Sequence, residues 1–240
     1  MHLKKTVFTI IFVFIVNFCF SFYAILESNT VREGGVIKIK TGNYSELKAV
    51  DVIFMKKKYP VFFVGYDYRE REYVYRTIIP IPLDTKAGKE NLEIKCLSDK
   101  DEYYHKEKII IKSMTKEKGR VNTKGKFKGN TLSDMQNENR TISKLQEKLT
   151  VIKYDLPFIM PIDNPVISSS FGKARNYDEI NSSWRHKGLD IAAPEGTKIR
   201  AANHGRVAGA FAGKAYGNTV IIDHGGGVFF FLFQIANGLV

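Results

Sequence analysis

The sequence predicts a mainly β-structured chain with two structured regions, and three observations support this fold class. From Ile25 to Lys112 the apolar residues recur with period two, which is the spacing of half-buried strands. Only the stretch 132–149 has apolar residues at helical intervals. A basic segment with almost no apolar residues precedes that stretch. We therefore expect an all-β protein, whose segments are residues 1–21, 25–112, 113–155 and 156–240.

The first residues have the pattern of an export signal. Two lysines precede an apolar run from Val7 to Phe20, as in secretory signal peptides. Cys19 and Ser21 are small residues at the minus three and minus one positions, so we predict cleavage after Ser21. An uncleaved membrane anchor extending to Ala24 and lipid modification of Cys19 remain as alternatives. The expected location is the periplasm or cell envelope.

The region from 25 to 112 is predicted to form an immunoglobulin-like β-sandwich. Its alternating segments are rich in Val, Ile, Tyr and Phe and are interrupted by turn residues, as is typical of short antiparallel strands. Pro80 and Pro82 each lack a backbone donor, so they are expected at a sheet edge or a strand end. No residue pattern in this region indicates catalysis. The segments are GGVIKIKTG, KAVDVIFMKK, YPVFFVGYDY, EYVYRTIIPIPL, NLEIKCL and EKIIIKS.

The net charge of +12 indicates an anionic partner, but its distribution restricts the choice. The basic residues are spread through strands and linker and form no arginine-rich stripe. An anionic polymer or a membrane surface fits this distribution, and export argues against nucleic acid as the partner. The two cysteines are Cys19, inside the predicted signal, and Cys96. The mature chain is therefore expected to have no intramolecular disulfide.

The composition changes sharply after Ser113. The stretch TKEKGRVNTKGKFKGNT is basic and almost without apolar residues, and it predicts a flexible linker. The following stretch predicts one amphipathic helix or a pair of short ones, with Ser133 as the expected cap; its apolar positions are Leu132, Met135, Ile142, Leu145 and Leu149. A proline-marked extended segment, LPFIMPIDNPVISSSFG, then leads into a new domain.

His186 and Asp190 form an HxxxD pair in that domain. Imidazole nitrogen and carboxylate oxygen are both ordinary zinc ligands. A catalytic zinc has three protein ligands and a fourth position open to water. By itself the pair is weak evidence, because surface loops often contain this spacing by chance.

The neighbouring segments strengthen the hypothesis of a metal site. SSSFGKAR precedes the pair, and APEGTKIRAANHGRVAGA and YGNTVIIDHGGGV follow it. In this order and spacing they resemble the lysostaphin and LytM-type zinc metallopeptidases, which cleave peptide cross-links in bacterial peptidoglycan. The resemblance implies a groove of antiparallel strands in which His186 and Asp190 bind zinc. It also implies turns and strands beneath the groove at Gly196, Thr197, Ala201, Gly205 and Val207, and a strand opening at Tyr216, Gly217 and Asn218.

The sequence departs from the family pattern after Val228. Family members continue with an aromatic strand that ends in a histidine, where this chain has Gln234, and later add an HxH pair. The second histidine of that pair is the third zinc ligand, and the other two histidines act on substrate and water. All three are missing from the 240 residues, so we assign no catalytic residue and expect the chain to be inactive. A natural shortening and a shifted reading frame both remain open.

Two other histidines lie close to the pair in sequence. His204 precedes Gly205, for which we expect a positive φ in a tight turn, and His224 ends a strand at a glycine turn. We assign both to turns rather than to the metal.

The sequence leaves two function classes open. The first is an exported zinc metalloendopeptidase of peptidoglycan, inactive at this length. The second is a noncatalytic envelope protein that binds peptidoglycan or a partner enzyme.

Overall fold

The computed structural model describes residues 22–99, 101–114, 118–121, 131–177 and 182–235. Within these ranges the regular structure consists of β-strands and one α-helix, which confirms the predominantly β class. The predicted signal, residues 1–21, lies outside the described residues. In the described part of the chain, no helix is long and apolar enough to cross a membrane.

Two sheets make up the amino-terminal half. One has four strands in the order β1-β3-β7-β6, and the other has five in the order β2-β9-β8-β4-β5. All neighbouring strands are antiparallel except β2 and β9. The strands are β1 Tyr23–Leu26, β2 Thr30–Arg32, β3 Val36–Asn43, β4 Ala49–Phe54, β5 Lys57–Pro60, β6 Phe62–Asp67, β7 Glu72–Pro80, β8 Gly88–Leu97 and β9 Glu102–Lys112.

Both sheets contribute to a single apolar core, so they pack face to face as a sandwich. Alternate residues point inwards, such as Ile37 and Ile39 of β3 and Leu92 and Ile94 of β8. Strand β7 ends at Pro80, as its missing donor predicts. The immunoglobulin-like character of this sandwich stays a prediction. Among the described residues, Cys96 is a free, buried cysteine, and burial raises the pKa of its thiol to about 12.

Four residues of the predicted linker form a strand that composition does not predict. Residues Lys118–Val121, inside the predicted linker, form β10, which pairs in parallel with β12 (Ala174–Tyr177). The predicted helical stretch is one helix, α1 (Thr131–Gln146). Ser133 is its third residue, so the expectation that Ser133 caps the helix is wrong. Strand β10 forms because its backbone makes hydrogen bonds to β12, which is distant in sequence. Local composition does not encode such a pairing.

The carboxyl-terminal half contains three small sheets. Strand β12 lies between β10 and β13 (Ser182–Arg185), and β11 (Val166–Ser169) pairs with β14 (Asp190–Ala192). The third sheet is antiparallel, in the order β15-β16-β17. Its strands are β15 Arg206–Gly213, β16 Gly217–Asp223 and β17 Phe229–Leu232.

Helix α1 packs against this third sheet rather than against the sandwich. A Cβ atom on Gly209 of β15 would lie 2.7 Å from the Leu145 side chain, so the absence of a side chain allows the close approach. The Glu138 carboxylate accepts hydrogen bonds from the N–H groups of Ala215 and Tyr216, at 2.9 and 3.0 Å. The helix therefore fixes the turn between β15 and β16.

Candidate metal centre

Two short strands bring the predicted ligands together. His186 directly follows β13, and Asp190 is the first residue of β14. Strand β14 pairs with β11 so that Asp190 lies opposite Ser169. Because Lys187, Gly188 and Leu189 form a short connection, the two side chains meet at the same place.

The ligand atoms of the pair converge. The His186 Nε2 atom lies 3.1 Å from Asp190 Oδ1, and the exposed fractions of the two side chains are 12% and 49%. The other ring nitrogen, Nδ1, lies 3.1 Å from the Ser170 carbonyl oxygen. A carbonyl oxygen can only accept, so Nδ1 carries the proton in this hydrogen bond. A metal ion between Nε2 and Asp190 Oδ1 would take the place of a proton there and receive the Nε2 lone pair.

This arrangement fits two ligands of one zinc ion. Zinc binds imidazole nitrogen and carboxylate oxygen at about 2.0–2.2 Å, so two ligand atoms of a tetrahedral site lie about 3.4 Å apart. The distance of 3.1 Å between Nε2 and Oδ1 is close to that separation. A histidine ligand also commonly donates its second N–H to a carbonyl oxygen, as His186 does. The donor set is therefore suited to a zinc ion, with Ser170 orienting the ring.

No third ligand joins the pair among the residues that the structure describes. Within those ranges, no group of three His, Cys, Asp or Glu side chains is placed to hold a metal. His204 is exposed in the turn before β15, as predicted. The structure brings His186 and Asp190 together at the candidate centre, and their role as metal ligands stays a prediction.

His224 is fully buried at the glycine turn after β16. Its Nδ1 atom donates to the His204 carbonyl oxygen at 2.7 Å, and its ring makes edge contacts with Phe158 and Phe230. Within the described part of the chain, its Nε2 atom has no hydrogen-bond partner. Both histidines lie outside the strands beside glycines, as expected for turn residues, and His224 also joins its loop to that of His204. Their exclusion from the metal site stays a prediction.

The expected positive φ at Gly205 is wrong. Gly205 is absent from the residues with positive φ, which include Gly196. A Cβ atom on Gly205 would instead lie 2.7 Å from the Ile222 side chain and 2.8 Å from His224 Nδ1. Glycine is required there because the chain passes too close to its neighbour, not because the turn needs a left-handed residue.

The DHGGG turn is fixed by its buried aspartate and by a crossing segment. Asp223 accepts hydrogen bonds from Gly225 N–H and from Thr150 Oγ1, both at 2.8 Å. The three glycines 225–227 all have positive φ. A Cβ on Gly225 would lie 1.8 Å from the Val151 carbonyl oxygen, so the crossing segment excludes any side chain.

Strand β17 is an edge of the third sheet in the described structure and is partly buried along its whole length. Its apolar run extends to Phe233, which is 42% exposed. Gln234, at the position where the resemblance implies a histidine, lies just after the strand with φ of 56°. Its N–H donates to the Tyr216 carbonyl oxygen at 3.1 Å.

The sequence did not predict that the sandwich contacts Arg185, the residue that precedes the predicted ligand His186. Arg185, next to His186, donates from Nη1 to Glu33 Oε2 at 2.9 Å, and both side chains are almost fully buried. Burial, the largest influence, raises the pKa of the Glu33 carboxyl. Hydrogen bonds from the Met114 and Asp84 N–H groups and the charge of Arg185 lower it more, so the net pKa is below 4.5. No local motif signals a pair separated by 152 positions.

Comparison with known proteins finds a similarity in the carboxyl-terminal part of the chain. Residues 184–240 match the model of peptidase family M23. Proteins of Neisseria meningitidis serogroup B and Neisseria gonorrhoeae named DD-carboxypeptidase/endopeptidase Mpg are 42% identical over 73 residues, which is 29% of this chain. The match spans 16% of the length of each Neisseria protein.

A solved structure shares the fold over a longer range. The crystal structure of a Pseudomonas aeruginosa protein assigned to peptidase M23 aligns with a TM-score of 0.56, at 22% identity. The alignment covers 85% of this chain and 73% of that protein. Residues 184–240 are thus similar to the M23, or LytM-type, peptidases, and the solved structure supports a shared fold over a larger part of the chain.

Proposed function

We propose that this chain is an exported, zinc-binding protein of the peptidoglycan endopeptidase type, and that His186 and Asp190 are its metal ligands. The observation that supports the proposal most directly is the convergence of His186 Nε2 and Asp190 Oδ1 at 3.1 Å. The Ser170 carbonyl oxygen orients the imidazole through Nδ1. When bound, zinc would polarise a peptide carbonyl group and activate water.

Each residue of the centre has a separate task in this proposal. His186 would supply an imidazole ligand and Asp190 a carboxylate ligand, while the Ser170 carbonyl oxygen holds the ring through Nδ1 so that Nε2 faces the metal position. Peptide hydrolysis also needs a third ligand and groups that activate water and stabilise the oxyanion. The resemblance to LytM-type peptidases implies histidines for these tasks. Among the described residues, no third His, Cys, Asp or Glu side chain is placed with the pair to hold a metal.

Zinc binding by the 240-residue chain is therefore expected to be no tighter than micromolar. His186→Ala should abolish the binding that calorimetry detects, because it removes the only ring nitrogen beside Asp190 in the described structure. The matched control is His204→Ala, since His204 is an exposed turn residue. Stoichiometric zinc that survives dialysis against a chelator, or equal loss in both variants, would contradict the assignment.

The second experiment concerns hydrolysis. With added zinc, the 240-residue chain should release no peptides from purified peptidoglycan, because the ligand set is incomplete. Changing Gln234 to histidine and adding a family-like HxH segment should produce hydrolysis, and His186→Ala in that extended protein should remove it. Activity of the short chain that depends on His186 would overturn the expected inactivity.

Export rests on the amino-terminal pattern and is part of the proposal. A protein that acts on peptidoglycan must reach the periplasm or cell envelope, and residues 1–21 have a signal-peptide composition. Cell fractionation followed by amino-terminal sequencing tests this location. A mature chain beginning at Phe22 is expected, whereas an intact chain in the membrane fraction would favour the anchor.

A noncatalytic role in the envelope is the second candidate function, and the two-ligand centre favours it. In that case the chain would bind insoluble peptidoglycan, or a partner enzyme, without cleaving it. Sedimentation with purified peptidoglycan separates the two roles. Binding that is unchanged by His186→Ala and by zinc removal would support the binding role, whereas zinc-dependent binding would favour the peptidase groove.

A further inference from the structure

We propose that the buried Glu33–Arg185 pair is a joint through which the amino-terminal sandwich positions the metal-binding histidine. The inference rests on the proposed zinc binding by His186 and Asp190. It assigns a positioning role to two residues that do not contact the metal. It also makes the sandwich a structural part of the metal centre.

Glu33 is enclosed on the sandwich side of the joint. Its side chain is 3% exposed. Oε1 accepts a hydrogen bond from Met114 N–H at 2.9 Å, and Oε2 accepts one from Asp84 N–H at 2.7 Å. These two donors come from the segments that follow β9 and β7. The sandwich therefore holds the carboxylate without help from the carboxyl-terminal half that contains β10 to β17, which we call the peptidase region.

Arg185 completes the joint from the peptidase side, with a side chain that is 9% exposed. Its Nη1 atom contacts Glu33 Oε2 at 2.9 Å and Asp84 Oδ1 at 3.3 Å. Its Nε atom donates to the Gly172 carbonyl oxygen at 2.9 Å. One guanidinium thus joins the sandwich to the loop that precedes β12.

That loop also holds His186. Gly172 N–H donates to the His186 carbonyl oxygen at 2.7 Å, and His186 N–H donates to the Lys173 carbonyl oxygen at 2.8 Å. The Ser170 carbonyl oxygen, two residues earlier, holds the imidazole Nδ1. The same short loop therefore fixes the backbone and the ring of His186 and is itself tied to Arg185.

Close packing on both sides of the ion pair makes the joint rigid. A Cβ atom on Gly34 would lie 2.6 Å from the Phe171 ring, and one on Gly172 would lie 2.5 Å from Met114 Sδ. Both glycines have positive φ. Phe171 therefore packs on the sandwich turn, and Met114 packs on the peptidase loop, with the buried pair beside them.

The test separates positioning from general stability. Glu33→Gln and Arg185→Met each leave a buried partner without its counter-charge, whereas the double variant removes both charges. We measure zinc dissociation constants from the His186 imidazole resonances, and thermal stability, for the full chain and all three variants. Glu46→Gln, which changes an exposed carboxylate of the same sandwich, is the matched control.

If the joint positions His186, both single variants should bind zinc about tenfold more weakly, as for other groups that orient ligands. The double variant should regain stability but not zinc affinity, because the packing of Phe171 and Met114 remains but no guanidinium hydrogen bond then ties the loop to the sandwich. Recovery of zinc affinity together with stability would overturn the positioning role, and so would unchanged affinity in the single variants.

The nitrogen shifts of the metal-free ring provide a second readout. In the wild-type chain the Nδ1 shift should report a hydrogen bond to the Ser170 carbonyl oxygen, and the single and double variants should show this bond weakened. If the wild-type resonances do not respond to zinc, the proposed metal binding fails, while the Nδ1 comparison still tests the joint. Identical Nδ1 shifts in all four proteins would overturn it.

Discussion

The sandwich and the peptidase region are both built from strands, but they are stabilised differently. In the sandwich, strands of up to 11 residues pack around one continuous apolar core. In the peptidase region, strands of three to eight residues form three separate sheets. Its order depends on contacts from outside those sheets, such as Glu138 of α1 and Glu33 of the sandwich. The candidate metal centre therefore lies in the part of the chain with the least core of its own.

The largest expected effect compares how much the cores of the two regions contribute to the free energy of unfolding. Ile94→Ala in β8 should destabilise the protein by about 4 kcal/mol, since it leaves a cavity in the sandwich core. Ile221→Ala in β16 removes an equally buried side chain, with both at 0% exposure. Ile221→Ala should lower the free energy of unfolding by about 3 kcal/mol. It should raise the rate of amide exchange in the peptidase region only.

Chemical denaturation and hydrogen exchange measure both effects. Leu97→Ala is the control, because Leu97 is an apolar residue of the same β8 strand that is 45% exposed. Its expected cost is below about 1 kcal/mol. Exchange that rises across the sandwich in Ile221→Ala would show that the two regions unfold as a single unit.

An intermediate effect is expected at the helix. Glu138→Ala leaves the Ala215 and Tyr216 N–H groups without their carboxylate acceptor and should cost about 1–2 kcal/mol. Amide exchange at these two residues reports the loss directly. Gln136→Ala on the same helix changes an exposed side chain and should leave their protection unaltered. Equal effects of the two variants would show that helix propensity, rather than the hydrogen bonds, is responsible.

The smallest effect is a pH dependence, because opposing influences act on the Glu33 carboxyl. Its pKa in the folded protein lies below the ordinary value of 4.5. The stabilisation from Glu33 is therefore complete above about pH 4.5 and is lost as the pH falls through the lower folded pKa. The charged groups near this carboxyl are Arg185, from the peptidase region, and Asp84, from the sandwich itself.

Other carboxyl groups with lowered pKa values also titrate in acid, including Asp67 and Glu93. The informative quantity is therefore the difference between the wild-type chain and Glu33→Gln, measured by thermal unfolding from pH 7 to pH 3. This difference should shrink as the pH falls. A constant difference would mean that the Glu33 charge does not contribute to the joint.

The sequence predicted those parts of the molecule that local patterns encode. Period-two alternation located the sandwich strands, and the HxxxD spacing located His186 and Asp190. Composition failed at residues 118–121, because the partner of β10 lies more than fifty positions away. At Gly205 the sequence correctly indicated a position that needs glycine. Glycine is needed there because neighbouring atoms approach closely, not because φ is positive. The Glu33–Arg185 pair was not predictable, since nothing local distinguishes a buried glutamate from a solvated one.

The separation of Glu33 and Arg185 along the chain also has a consequence for biosynthesis. The last strand of the sandwich ends at Lys112, so roughly 70 further residues are translated before Arg185 is added, which takes several seconds at typical rates. During that time the Glu33 carboxylate has only its own domain and water as partners. The sandwich would then serve as a template on which the nascent peptidase region assembles.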